Sequence, residues 1–106
     1  MNELIDKVKV WGVDKGITGT NGKGTLLSQL EKTQEELTET RDAAVLLSFL
    51  SNPKDHKELV KRDFAKYQVV DGIGDTIVTL ILAAELAGLD IKSCLQFAYD
   101  EIKNRQ

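Results

Sequence analysis

Several residue types are scarce in this chain, and each scarcity closes off a class of protein. A single cysteine, Cys94, rules out an internal disulfide, and no Cys/His spacing of a metal-binding kind occurs. There is no long basic block. The 14 Lys and Arg stand against 17 Asp and Glu, a net charge of −3, which is not a nucleic-acid footprint. The opening Met1-Asn2-Glu3-Leu4-Ile5-Asp6-Lys7 has neither a cationic start nor an apolar core, so it does not read as a signal peptide. The one strongly apolar run starts with acids and is broken by Glu85, which makes it too short and too charged for a membrane span. The expectation is a cytoplasmic protein with neither nucleic acid nor membrane as partner. The lone histidine, His56, follows Pro53 in a charged segment and is expected to face solvent.

What the chain does have is apolar surface to bury. Its 106 residues make one small domain, expected over 1–106, and 42% of them are hydrophobic. From Ile73 to Leu89 the sequence is apolar almost all round, and a helix of that kind wants neighbours on every side. A domain this small has a limited interior. Both points favour a homo-oligomer, a dimer or a tetramer.

Periodicity predicts helices and no strand. Leu4, Ile5, Val8 and Trp11 mark a short amphipathic helix over 2 to about 15. A Gly-rich stretch, Gly16 to Thr25, follows. It fails as a phosphate loop, because Gly24 follows Gly22-Lys23 where Ser or Thr is required, and it reads as a flexible connector or flap. Leu26, Leu30, Thr33, Leu37, Ala44 and Leu47 mark the buried stripe of a long helix that Ser51-Asn52-Pro53 stops. Lys54 to Gln68 is a charged helix with Leu59, Val60, Phe64 and Tyr67 as its apolar contacts, leading into a central helix that ends near Gly88. Asp90 caps a last helix through Leu95, Ala98, Tyr99 and Ile102, with Cys94 as a small core residue. The expected fold is all-α, an antiparallel bundle of four to five helices completed by homo-oligomerisation.

Two acidic clusters carry the candidate chemistry. Asp71 and Asp75 are four apart at the entrance to the apolar helix, so they share a face, repel each other and need compensation if buried. Glu35, Glu36 and Glu39 sit on the preceding long helix at the same 3–4 spacing, beside Lys32. Taken alone, the Glu cluster also reads as an ordinary solvated face. Together, two antiparallel helices each offering paired carboxylates form an oxygen cage suited to a hard cation such as Mg²⁺ or Mn²⁺. Glu36, Glu39, Asp71 and Asp75 are the candidate ligands.

The order of these residues resembles a known family. Gln29, Lys32, Glu35-Glu36-Leu37-Thr38-Glu39, then Asp71-Gly72-Ile73-Gly74-Asp75, is similar to the all-α nucleoside triphosphate pyrophosphohydrolases of the MazG type, which carry Glu-x-x-Glu on one helix and Glu-x-x-Asp on the next. Trp11, Lys15-Gly16-Ile17 and the tail from Ala98 to Arg105 extend the likeness, to short, phage-like members, over about residues 3 to 105. The resemblance implies Mg²⁺-dependent cleavage of a nucleoside triphosphate to a monophosphate and pyrophosphate. It also implies Glu35 or Glu36 as catalytic carboxylates, and Lys32, Lys103, Arg105 and Trp11 as substrate contacts; from the residues alone, Lys32 reads equally as a helix salt bridge, Lys103 and Arg105 as an ordinary cationic helix C-terminus, and Trp11 as a core residue. One position departs from the pattern: Gly72 stands where the first acid of Glu-x-x-Asp belongs. Either Asp71 serves instead, or it supports a three-carboxylate set of Glu36, Glu39 and Asp75. The alternative is a non-catalytic helical oligomer on the same scaffold that binds nucleotide or a protein partner as a regulator.

Overall fold

A computed structural model describes residues 2–105. Among them are four helices and no strand: α1 (Asn2–Asp14), α2 (Leu26–Phe49), α3 (His56–Leu86) and α4 (Ile91–Ile102). The charged segment after Pro53 and the apolar central helix are one continuous element, so the expected four to five helices resolve to four. No single helix among the described residues is long and apolar enough to cross a membrane.

Local chemistry sets the helix ends. Before α2, Thr25 and Ser28 cap each other: the Ser28 N–H donates to Thr25 Oγ1 and the Thr25 N–H to Ser28 Oγ, each at 3.0 Å. Asp55 opens α3 by accepting the Glu58 N–H at 2.8 Å. At the far end of α3, Gly88 takes a positive φ of 71°, and the Leu89 N–H reaches back to the Ala84 carbonyl at 2.8 Å. Asp90 then caps α4 by accepting the Lys92 N–H. The Gly-rich segment is not the open connector its composition suggests. It folds back on itself, with the Lys23 N–H donating to Gly16 O and the Gly24 N–H to Ile17 O, both at 2.9 Å.

The chain divides into two compact units, Met1–Leu30 with Val78–Gln106, and Glu31–Ile77. In the first, α1 lies against the end of α3. Ile5, Ile81, Leu82, Ala83 and Ala84 are its buried apolar residues. The closest approach is at Gly12, where an added Cβ would stand 2.5 Å from Leu82 Cδ2 and 3.1 Å from Thr18 Oγ1. Lys9, one turn earlier, bridges Glu85 at 3.7 Å and Asp90 at 3.5 Å, which accounts for the acid that interrupts the apolar run. The buried stripe of α1 is therefore Ile5 and Gly12, while Leu4 and Trp11 of the expected stripe are exposed. In α4 no residue is buried. Leu95, Ala98, Tyr99 and Ile102 all stand open, and Cys94 is exposed instead of lying in a core.

The second unit is an antiparallel helical hairpin, α2 from Glu31 onward and α3 up to Ile77. Its seam has a strict 3–4 alternation on both sides. On α2 the half-buried and buried residues are Thr33, Glu36, Thr40, Ala43 and Leu47, continued by Leu50 just past the helix; on α3, Glu58, Arg62, Ala65, Val69, Gly72 and Thr76 repeat the pattern. Thr40 meets Gly72, and this register sets Ala43 opposite Val69, Leu47 opposite Ala65 and Glu36 opposite Thr76. Only Thr33 and Leu47 of the expected α2 stripe lie on the seam; Leu37 and Ala44 of this unit project beside it and are exposed, as are Val60, Phe64 and Tyr67 on α3. Small and polar side chains win the seam because they let the two backbones approach closely.

Gly12→Val should test the packing of the first unit. Its branched side chain must displace Leu82, which is 1% exposed, and overpacking of this kind costs about 1–3 kcal/mol. A urea midpoint unchanged from the parent chain would contradict this geometry.

Candidate functional site

The acids gather on one flank of the α2–α3 hairpin. Around α2, Glu36 lies about 40° and Glu39 about 100° to one side of Thr40; around α3, Asp75 lies about 60° and Asp71 about 100° to the same side of Gly72. Because the helices are antiparallel and Thr40 faces Gly72, these two sides coincide. The electrostatics agree with the helix arithmetic. Glu36 is held above the ordinary carboxylate range by partial burial first, then by Glu39 and Asp75, with a smaller push from Asp71; Lys32 pulls the other way. Asp75 is raised by burial, by the Asp71 charge, by a side-chain hydrogen bond with Asp71 and by Glu39.

The surroundings differ from the apolar enclosure that the sequence suggests. Asp71 is exposed and Asp75 half-buried, and their neighbours Val70, Ile73 and Ile77 are open to solvent. The acids repel each other at the edge of the seam; they are not sealed inside it. Among the described residues, no three Asp, Glu, His or Cys side chains already stand in coordinating positions around one point. The donor set itself, carboxylates from two helices whose charges raise one another, suits a hard divalent cation, which would replace repulsion with attraction.

Gly72 has a steric reason. A Cβ there would collide with Thr40 Oγ1 and come within 2.9 Å of Thr40 Cβ. The Thr40 hydroxyl donates to the Glu36 carbonyl at 2.7 Å, and that of Thr76 to the Gly72 carbonyl at 2.7 Å, so neither is free to swing far. The position that would carry the family acid is therefore the point of closest helix approach, and no side chain fits. Asp71, hydrogen-bonded to Asp75, is the remaining acid on that helix face. Thr40 is the site-building residue that the sequence reading missed. Its signal was the 3–4 run Thr33, Glu36, Thr40, Ala43, Leu47, hidden by the more obvious leucines beside it.

The other candidates are placed as follows. Lys32 forms an i,i+3 pair with Glu35 at 3.6 Å, both exposed, next to the cluster. Trp11, Lys103 and Arg105 belong to the first compact unit, not to the hairpin. Trp11 is 46% exposed on α1. Lys103 is engaged within its own helix, 3.1 Å from Asp100 and 5.8 Å from the centre of the Tyr99 ring. His56 is the exposed first residue of α3.

Two predictions follow from this geometry. Gly72→Ala should destabilise the chain by about 1–3 kcal/mol through overpacking, and Gly72→Glu by at least as much. Gly74→Ala meets nothing within 4 Å and should stabilise the helix by about 0.5–1 kcal/mol. Equal effects at the two positions, read from urea unfolding, would rule out the close contact. The second concerns pH. A carboxyl raised in the folded state adds stability below its unfolded value and loses it as pH rises through the folded one. In EDTA, the melting temperature should therefore rise as pH falls from 7 toward about 4.5. Asp75→Asn should gain about 0.5 kcal/mol at pH 7, typical of relieving a like-charged helix pair, and nothing at pH 4.

Comparison with protein-family models, with curated proteins and with solved structures returned no match to this chain.

Proposed function

We propose that the acidic flank of the hairpin binds Mg²⁺ or Mn²⁺ and that the chain is a nucleotide pyrophosphohydrolase of the MazG-like kind, cleaving a nucleoside triphosphate to a monophosphate and pyrophosphate. The observation that carries this reading is the gathering of Glu36, Glu39, Asp71 and Asp75 on one flank, where Glu36 and Asp75 are raised by burial and by their acidic neighbours. Such a cluster favours a divalent cation and, through it, a polyphosphate. Glu36, Glu39 and Asp75 would hold the ion, with Asp71 orienting Asp75 through their hydrogen bond. Bound there, the ion supplies neutralisation of the triphosphate charge.

The chain's own residues divide the remaining work. Glu35 takes the proton from a water as its oxygen bonds to the α-phosphorus. The bond from that phosphorus to the bridging oxygen breaks, and pyrophosphate carries away the electron pair. Lys32, beside Glu35 and within the field of Glu36, faces the phosphates. The family resemblance further implies Lys103 and Arg105 as phosphate contacts and Trp11 as a surface for stacking the base. The working form is a cytoplasmic homodimer or homotetramer.

Gly72 favours a second reading. With no room for the fourth family acid, the scaffold would bind nucleotide or a protein partner without turning it over, as a regulator. Thermal melting separates the two. Stabilisation by Mg²⁺ with a non-hydrolysable dNTP, without product from the hydrolysable one, identifies the regulator.

Incubation of the pure protein with NTPs, dNTPs and Mg²⁺ should release pyrophosphate from at least one of them. Glu39→Ala and Asp75→Ala should each lower kcat about 100-fold or more, with helicity by circular dichroism unchanged. Folded protein that releases no pyrophosphate from any substrate would sink the enzymatic reading.

A further inference from the structure

The segment between α1 and α2, residues 16–24, is built as a strap. Its two limbs are tied by the Lys23 N–H donating to Gly16 O and the Gly24 N–H to Ile17 O, and the Gly22 N–H closes the tip on Gly19 O at 3.1 Å. The base is fastened to α1, because Ile17 and Thr18 both donate their N–H to the Gly12 carbonyl, at 3.0 and 3.3 Å. The limbs touch closely. A Cβ at Gly22 would collide with the Thr18 carbonyl, and one at Gly24 would stand 2.7 Å from Ile17 O. Gly16 and Gly19 hold φ of 74° and 84°, a conformation that other L-residues disfavour.

The one buried side chain of this strap is polar and unpaired. Thr18 is 5% exposed, yet its enclosed hydroxyl has no hydrogen-bond partner among the described residues. The oxygen lies over Gly12, 3.1 Å from where a Cβ would be, and Leu82 Cδ2 crowds the same point. A leucine methyl can neither donate nor accept, and a hydroxyl buried against it forfeits the bonds that water would give it. Neither adjoining helix needs the strap to be shut. The α1 helix closes on its own bonds, from the Lys15 N–H to Trp11 O at 2.9 Å and from the Gly16 N–H to Val13 O at 3.0 Å. The start of α2 is capped by Thr25 and Ser28, which lie outside the limbs.

We propose that the strap has two states, shut over Gly12 and lifted, and that the orphaned Thr18 hydroxyl keeps the shut state marginal, so that the strap opens while the helices stay folded. Lifting hydrates the hydroxyl and breaks only the limb and base bonds. It also uncovers Gly12 and Leu82, which is 1% exposed under the shut strap, and so turns a sealed contact between α1 and α3 into an open apolar slot. The inference rests on the packing of the strap and not on chemistry at the acidic flank.

The test is amide hydrogen exchange on the full chain, resolved by residue. In the parent chain the Lys23 and Gly24 amides should exchange faster than those of Leu82 and Ala83, at a rate that low urea does not change, as local opening exposes little surface. Thr18→Val keeps the branched shape without the hydroxyl and should slow exchange at Lys23 and Gly24 about tenfold. Thr18→Ser keeps the hydroxyl and should not slow it. Amides at 23 and 24 that exchange as slowly as those of Leu82 and Ala83, or that ignore Thr18→Val, would overturn the proposal. Should Thr18→Val misfold, Gly19→Ala decides. Its Cβ would meet only Val13, at ordinary contact distance, but the shut turn needs the positive φ, so exchange at Lys23 and Gly24 should quicken about tenfold. An unchanged rate there would overturn the proposal as well.

Discussion

The contact between Thr40 and Gly72 fixes the rest of the hairpin. A helix pair packed this closely at one point has its register decided everywhere else, because both seams alternate by three and four residues. That register carries Glu36 to the level of Thr76 and brings Glu39 beside Asp71 and Asp75. The bare glycine and the acids flanking it are thus one device. The glycine admits the approach, and the approach brings two pairs of carboxylates together. Lengthening the side chain at 72 would push the two helices, and the carboxylates they carry, apart.

The price of this arrangement is aliphatic surface. Thr33, Glu36 and Thr40 are weak core residues, and using them on the seam pushes Leu37, Ala44, Ile73 and Ile77 to the outside. The first unit shows the same deficit more plainly, since α4 is strongly two-sided yet buries no residue. Burial of aliphatic surface is worth about 25 cal/mol per Å², and these side chains forgo it within the chain. The two flanks of the hairpin thus differ in chemistry, one charged and the other apolar.

Much of the fold was legible in the sequence. Pro53 and Gly88 end helices where their chemistry says they should, and Asp90 caps α4 through the Lys92 N–H. The stripes were misread for one reason. Leu26, Leu30 and Leu37 have helical spacing and invite burial, but the adjacent Thr33, Glu36, Thr40, Ala43, Leu47 run has it too, and close approach at Gly72 selects the smaller residues. Hydrophobicity cannot make that choice; steric fit does. Among the described residues there is no strand, as periodicity alone predicts.

Of the site, the acids were legible and their setting was not. The i,i+4 spacing of Asp71 and Asp75 showed that they share a face, and they lie in one field with Glu36 and Glu39. That they stand at an open edge depends on a register no local pattern reveals. Lys103 shows the same limit, since its partners Asp100 and Tyr99 are near in sequence and a cationic helix end says nothing about what it faces. The claim that the gathered carboxylates take a divalent ion is tested most directly by titrating Mn²⁺ into the isotope-labelled chain and following paramagnetic broadening of its NMR signals. Resonances of Glu36, Glu39, Asp71 and Asp75 should broaden first, at substoichiometric Mn²⁺, with those of Glu58 and Asp63 farther along the hairpin still sharp. Broadening that starts elsewhere, or is spread evenly over the surface acids, would contradict it.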